Sequence, residues 1–290
     1  MIELLQENLF QLALIAALLV GLCAPAVGTF IVQRRLSLLG DGIGHVALTG
    51  VALGFLTGTA PVLTAVIVSV LGAVAIELVR ARGRTSGDVA LALLFYGGIA
   101  GGVMLMGIAP GGSNAKLNSY LFGAIASVTQ QDIWIIGALA AAVIGVVVVF
   151  GRELFVLCQD EEMARASGLP VRFLSLLIAV TAALTVVIAM RVVGLLLVSA
   201  LMVIPVATSQ QLTRGFRATM GLAMLFGVLA SVGGLLASTM SARVPPGAAI
   251  VLLALAGFVL ALGVGKFVRR GRIQESPVSP RPRVRVEEAA

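Results

Sequence analysis

Charge is scarce in this sequence. Asp, Glu, Lys and Arg make up 11% of its 290 residues, against about a quarter in soluble domains. No stretch is left for a sizeable soluble domain, so any energy source or soluble chemistry must come from another chain. Histidine occurs once and cysteine twice. Cys23 and Cys158 form no CxxC motif and read as small apolar fillers. No GxxxxGK[ST] phosphate loop is present, so ATP hydrolysis must be supplied elsewhere. HExxH, GxSxG and paired intramembrane aspartates are also missing, which argues against an intramembrane enzyme. The nine methionines are scattered, with no MxxM-type copper array. The first ten residues hold Glu3 and Glu7 but no Lys or Arg. The apolar run behind them is too long for a signal peptide, so no cleavable signal is expected.

What the chain does have is apolar length. Hydrophobic residues reach 59% and mean hydropathy is +1.10. Runs of roughly twenty apolar residues, enough to cross a bilayer, recur from end to end. They cover about 9–32, 37–56, 61–79, 88–108, 133–150, 173–190, 192–209, 218–238 and 247–268. The predicted fold is all-α, a polytopic transmembrane helical bundle of eight to nine spans. Residues 1–268 form the membrane domain, and 269–290 a disordered tail rich in Pro, Arg and Glu. Between Ile108 and Ile133, Ala109–Leu117 reads as a loop. Lys116-Leu117-Asn118-Ser119-Tyr120-Leu121-Phe122-Gly123 is semi-polar and too short to span, and reads as interfacial or re-entrant. Trp134 reads as an interfacial anchor.

The formal charge of +7 does not point to nucleic acid, because the basic residues lie between apolar runs and in the tail. With the N-terminus outside, the cytoplasmic side collects the tail and Arg34, Arg35, Arg80, Arg82, Arg84, Arg152, Arg165, Arg172, Arg214 and Arg217. Only Lys116, Arg191 and Arg243 fall outside. That asymmetry predicts N-out, C-in, with the basic tail against anionic lipid.

Two stretches carry chemistry. Arg34–Gly54 opens with two arginines, then places Asp41 and the lone His45 four residues apart. On a helix they share a face, where a carboxylate and an imidazole hold a divalent transition metal from one side. Asp41 also reads as a helix-start charge satisfied by Arg34 or Arg35, and His45 as a packed histidine. Gly40-x-x-x-Gly44 and Gly50-x-x-x-Gly54-x-x-x-Gly58 read as ridges for close helix packing, and Gly58-Thr59-Ala60-Pro61 as the turn that follows. Asp88 is a weaker metal candidate and equally a helix cap. Glu77 reads as a partner of Arg80 or Arg84, and Pro205 as a helix kink beside the pathway. The second stretch is the loop at about 158–170. Asp160 or Glu161 caps a short helix there, and Gly168 with Pro170 ends it. Such a hook docks another protein, or is an ordinary amphipathic connector.

Four ordered motifs make the chain similar to the permease subunit of the ABC importer family for zinc, manganese and iron. They are Arg34-Arg35-x-Ser37-x-x-Gly40-Asp41-x-x-x-His45, the Tyr120-Leu121-Phe122-Gly123 segment, Val193–Leu201 with Pro205, and Pro246-Gly247 before Ile250-Val251-Leu252. Glu162-x-Ala164-x-x-x-Gly168 resembles the loop by which such permeases engage their ATPase. The resemblance implies a homodimer in a bacterial inner membrane, two ATPase subunits on the hook (Asp160, Glu161, Glu162, Ala164, Gly168) and an extracytoplasmic metal-binding protein. No permanently bound cofactor is implied. Zn²⁺ is the favoured cargo on the strength of the imidazole, with Mn²⁺ and Fe²⁺ as the other candidates. Lys116 and Arg243 stand where the family has acids, and Gly44 where it has a small hydroxyl or alanine. The basic exchanges suit an acidic binding-protein surface. The rival reading is a proton-coupled secondary cation transporter using Asp41 and His45. A membrane scaffold without transport is a third class, and it leaves the acid–histidine pair unexplained.

Overall fold

The computed structural model describes residues 8–81, 87–109, 119–123, 130–239 and 244–273. Each apolar run becomes a helix, because a backbone in hydrocarbon must satisfy its own hydrogen bonds. The helices are α1 (Asn8–Gln33), α2 (Leu39–Thr57), α3 (Pro61–Ala81), α4 (Gly87–Ile108), α5 (Gln130–Gln159), the short α6 (Glu161–Ala166), α7 (Val171–Val192), α8 (Leu195–Leu212), α9 (Phe216–Thr239) and α10 (Pro246–Ile273). Among the described residues eight are long and apolar enough to cross a membrane, while α8 has a shorter apolar stretch, Leu197–Leu212. The eight-to-nine-span bundle is therefore the fold. α10 continues to Ile273, past the expected start of the tail at Arg269. Lys116, Arg243 and the rest of the tail lie outside the described residues.

α1, α2, α7 and α8 form the centre. α3 and α4 pack along α2, α5 and α9 along α1, and α10 along α8 and α9. The outer helices turn large apolar side chains outward, including Leu71, Leu93, Val148 and Leu260. Trp134 is also outward-facing, 73% exposed near the start of α5. Cys23 and Cys158 are buried and unpaired.

α2 is packed more tightly than its composition alone requires. A methyl group on Gly50 would come within 2.6 Å of the Ala65 Cα, and one on Gly54 within 2.7 Å of the Pro61 Cα. That ridge is how α3 reaches α2. Gly40 and Gly44 face α8 instead, against Ser199, Met202 and Leu195. Gly58 ends α2 in the left-handed conformation at φ 69°, as the Gly58–Pro61 turn predicts.

The two ends of the bundle are tied differently. At one end lie the close of α1, the hook and the start of α7. Asp160 caps α6 by accepting from the Glu162 and Met163 amides at 2.8 and 3.1 Å. Ala164 is fully buried, and Gly168 closes the hook at φ 77°. At the opposite end, Arg191 of α7 donates to Asp132 of α5 at 2.5 Å and lies 5.5 Å over the Tyr120 ring. Burial raises the Tyr120 phenol above its ordinary pKa, so it stays a neutral hydroxyl there. Residues 119–122 form a helical turn tucked against Gly194, whose φ is 90°.

Candidate metal pathway

α2 carries both sequence-predicted residues. At about 100° per residue, Asp41 and His45 lie on one sector of α2. The Gly40–Gly44 side of the helix packs on α8, while Gly42 packs on Leu91 and Leu94 of α4. The Asp41–His45 sector falls between these two neighbours, and both side chains are half-buried rather than sealed in. Four residues apart on one helix, the two side chains are neighbours on its surface.

The second helix of the site is α4. A methyl group on Gly98 would meet the His45 carbonyl carbon and the Val46 nitrogen, both at 2.7 Å. α4 therefore presses its bare backbone against the root of His45. Thr49 reinforces the contact by donating to the Gly98 carbonyl at 2.8 Å. Phe95 meets the imidazole edge-on, with centroids 4.5 Å apart. Backbone contact and aromatic edge together fix the ring, yet its Nδ1 is buried without a hydrogen-bond partner. A buried imidazole nitrogen left unpaired is costly, and metal or proton binding would relieve it.

Asp41 makes no ion pair with either arginine. Arg34 instead bonds Glu161 at 3.1 Å and the Ser175 hydroxyl at 2.8 Å. The reading of Asp41 as a charge satisfied by Arg34 is thus displaced by the hook, which takes that arginine. Glu77 pairs with Arg80 at 2.8 Å, one of its two expected partners. Asp88 stands in the first turn of α4, but its side chain lies outside what is described. Pro205 lies inside an unbroken α8 and lines a cavity with Phe226 and Leu229 of α9 and Leu253 of α10. Among the described residues no three His, Cys, Asp or Glu side chains converge as a metal cage.

Residues 6–265 match the family described as the ABC 3 transport family. The chain belongs to the ABC 3 transport family. Its relatives within that family include the manganese transport system membrane protein MntC of Halalkalibacterium halodurans, 34% identical over 259 residues, covering 89% of this chain and 88% of that one. The manganese import system permease protein ScaB of Streptococcus parasanguinis is 32% identical over 267 residues, covering 92% and 94%. Among solved structures, PsaBC from Streptococcus pneumoniae in complex with Fab superposes with a TM-score of 0.84 at 33% identity, covering 94% of this chain and 98% of that one. An inward-facing putative metal-chelate type ABC transporter shares the fold at a TM-score of 0.70 and 18% identity. This ABC 3 family member is a membrane subunit of a transporter, not an enzyme.

Three contributors to the site were not singled out from sequence. Phe95 and Gly98 belong to an apolar run with no polar marker. Ser199 stands beside Gly40, and its hydroxyl is buried without a partner. Only its place within the Val193–Leu201 motif marks it in sequence.

Proposed function

We propose that the chain is the permease of an ATP-driven importer for a divalent transition metal, and that its cargo is Mn²⁺. The observation that carries this reading is the half-buried Asp41–His45 face of α2, with an orphaned His45 nitrogen in the sector between α4 and α8. Two ligands from one chain cannot close a coordination shell. A second copy across a dimer axis doubles the set, and an incomplete shell suits a site that must release its ion. The names of the 32–34% identical relatives move the cargo from the zinc favoured by imidazole chemistry towards manganese, which a carboxylate also suits.

The hook gives the drive. Asp160, Glu161 and Glu162 begin α6, Ala164 is its buried anchor and Gly168 its stop. Cytoplasmic ATPase subunits dock there, and an extracytoplasmic binding protein delivers metal at the Arg191 end. The arginine clusters orient the hook end inward.

The test is ⁵⁴Mn²⁺ uptake into proteoliposomes holding the full chain, its ATPase and its binding protein. Uptake requires ATP and both partners, and Zn²⁺ competes less well than unlabelled Mn²⁺. Asp41→Asn and His45→Ala lower uptake about ten-fold or more, the scale on which even a ligand's supporting partner acts, with ATPase association intact. Uptake driven by a proton gradient without ATP would overturn the proposal.

A further inference from the structure

Between α5 and α9, at the hook end, lies a groove of about 780 Å³, a volume typical of ligand-binding clefts. Its floor is Phe30 of α1, and its walls are Val147, Val148 and Phe155 of α5 and Phe216 and Met220 of α9. Phe216 packs on Phe155 at 4.7 Å and on Phe30 at 5.4 Å, so the inner wall is a fixed aromatic surface. Val148 is 75% exposed, and the groove opens outward along α5.

Two arginines stand on its rim, Arg152 and Arg217. Both are exposed, and neither makes a hydrogen bond or ion pair among the described residues. Glu153 is not among the residues lining the groove. The cleft beside the hook is also lined by arginines, but it carries carboxylates as well. There Glu77 pairs with Arg80, while Glu161 pairs with Arg34 and Arg165. Arg172 is left over in that cleft, but two carboxylates share its lining, whereas the α5–α9 groove sets two arginines beside an apolar trough with no Asp or Glu among its lining residues.

Depth fits the same ligand. α5 has 30 residues, or about 45 Å at 1.5 Å per residue, against a hydrocarbon core of about 30 Å. Its last turns reach the headgroup layer, and Arg152 stands on them. Arg217 is the second residue of α9, at the same end.

We propose that this groove holds one anionic phospholipid, its phosphate between Arg152 and Arg217 and an acyl chain along Val147, Val148 and Met220. The two guanidinium groups select a negative headgroup over a zwitterionic one, and the aromatic wall packs against the apolar part of the lipid. Its lining residues include neither Asp41 nor His45.

Native mass spectrometry of the full chain, titrated with phosphatidylglycerol or phosphatidylcholine, tests it. One phosphatidylglycerol binds in preference to phosphatidylcholine. Each arginine near an anionic headgroup is worth about five-fold, so Arg152→Gln with Arg217→Gln lowers that binding about thirty-fold. The double lysine variant keeps most of it. Gly151 has open space where a side chain would begin, so Gly151→Leu obstructs the trough and weakens binding with both arginines present. Thermal unfolding of each variant confirms that the fold survives. Unchanged phosphatidylglycerol binding in the double Gln variant overturns the proposal. Equal protection of the groove by glycerol 3-phosphate or inorganic phosphate overturns it in favour of a free anion. Loss of ATPase association or of dimer, with lipid binding intact, overturns it in favour of a protein partner.

Discussion

Gly97 and Gly98 are neighbours on α4 with opposite surroundings, and substituting each with alanine isolates what holds His45 in place. A methyl group on Gly97 meets nothing within 4 Å, whereas one on Gly98 would stand 2.7 Å from two backbone atoms of α2 and 3.0 Å from the His45 Cβ. Backbone cannot rotate aside as a long side chain can. Gly98→Ala therefore pushes α4 off α2 by several tenths of an ångström or more, and overpacking of this kind costs about 1–3 kcal/mol. The same displacement stretches the 2.8 Å bond from Thr49 to the Gly98 carbonyl and opens the Phe95–His45 edge contact. Gly97→Ala meets no obstacle and gains helix propensity. Unfolding of the two variants in detergent, followed by tryptophan fluorescence or static light scattering, should separate them by a few degrees, with Gly98→Ala the lower. Metal uptake should fall in Gly98→Ala alone. Equal stability and equal uptake in the two variants would refute the claim that α4 seats His45 by backbone contact.

Three further outcomes follow from the same structure. Asp132→Ala leaves Arg191 without its carboxylate in a largely buried place; removing one partner of such a pair costs about 3–5 kcal/mol, and adding Arg191→Met recovers part of the lost thermal stability. Gly194→Ala strains a backbone at φ 90° and drives a methyl into the 121–123 backbone, so expression of folded protein drops well below that of Gly97→Ala. Asp160→Ala removes the cap of a six-residue helix and costs about 1 kcal/mol locally; co-purification of the ATPase subunits falls while the melting temperature of the bundle barely moves.

The fold was largely legible in the sequence, because a bilayer leaves an apolar twenty-residue run little choice but helix. The hook was legible for a different reason. Asp160, Gly168 and Pro170 act on their immediate neighbours, so cap and stop can be read locally. The break between the sixth and seventh runs was marked only by Arg191. In the structure the turn is made by Val193 and Gly194, where glycine alone takes φ 90° comfortably. Partnerships across the bundle were not legible. Arg34 reaches Ser175, 141 residues on, and Glu161, 127 residues on. Arg191 reaches Asp132 from 59 residues away. Nothing local distinguishes Phe95 from any other apolar residue of α4, so its place over His45 emerges only from the packing of two glycine-rich helices. Pro205 reads in sequence as a helix kink, yet it lies inside a continuous α8, and which side of the bundle its ring faces depends on how α9 and α10 close over it.

The bond between Arg34 and Glu161 also has a mechanical meaning. Arg34 follows the last residue of α1, and the next residue, Arg35, turns the chain through a left-handed conformation at φ 58° towards α2. Seven positions after Arg34 comes Asp41. A pull on the hook is thus delivered to the hinge from which α2 hangs, as a lever delivers force close to its fulcrum. Glu161 also bonds Arg165 of its own short helix, so the same carboxylate joins the hook to the α1–α2 turn. Whatever grips the hook has its hand on the root of the helix that carries Asp41 and His45.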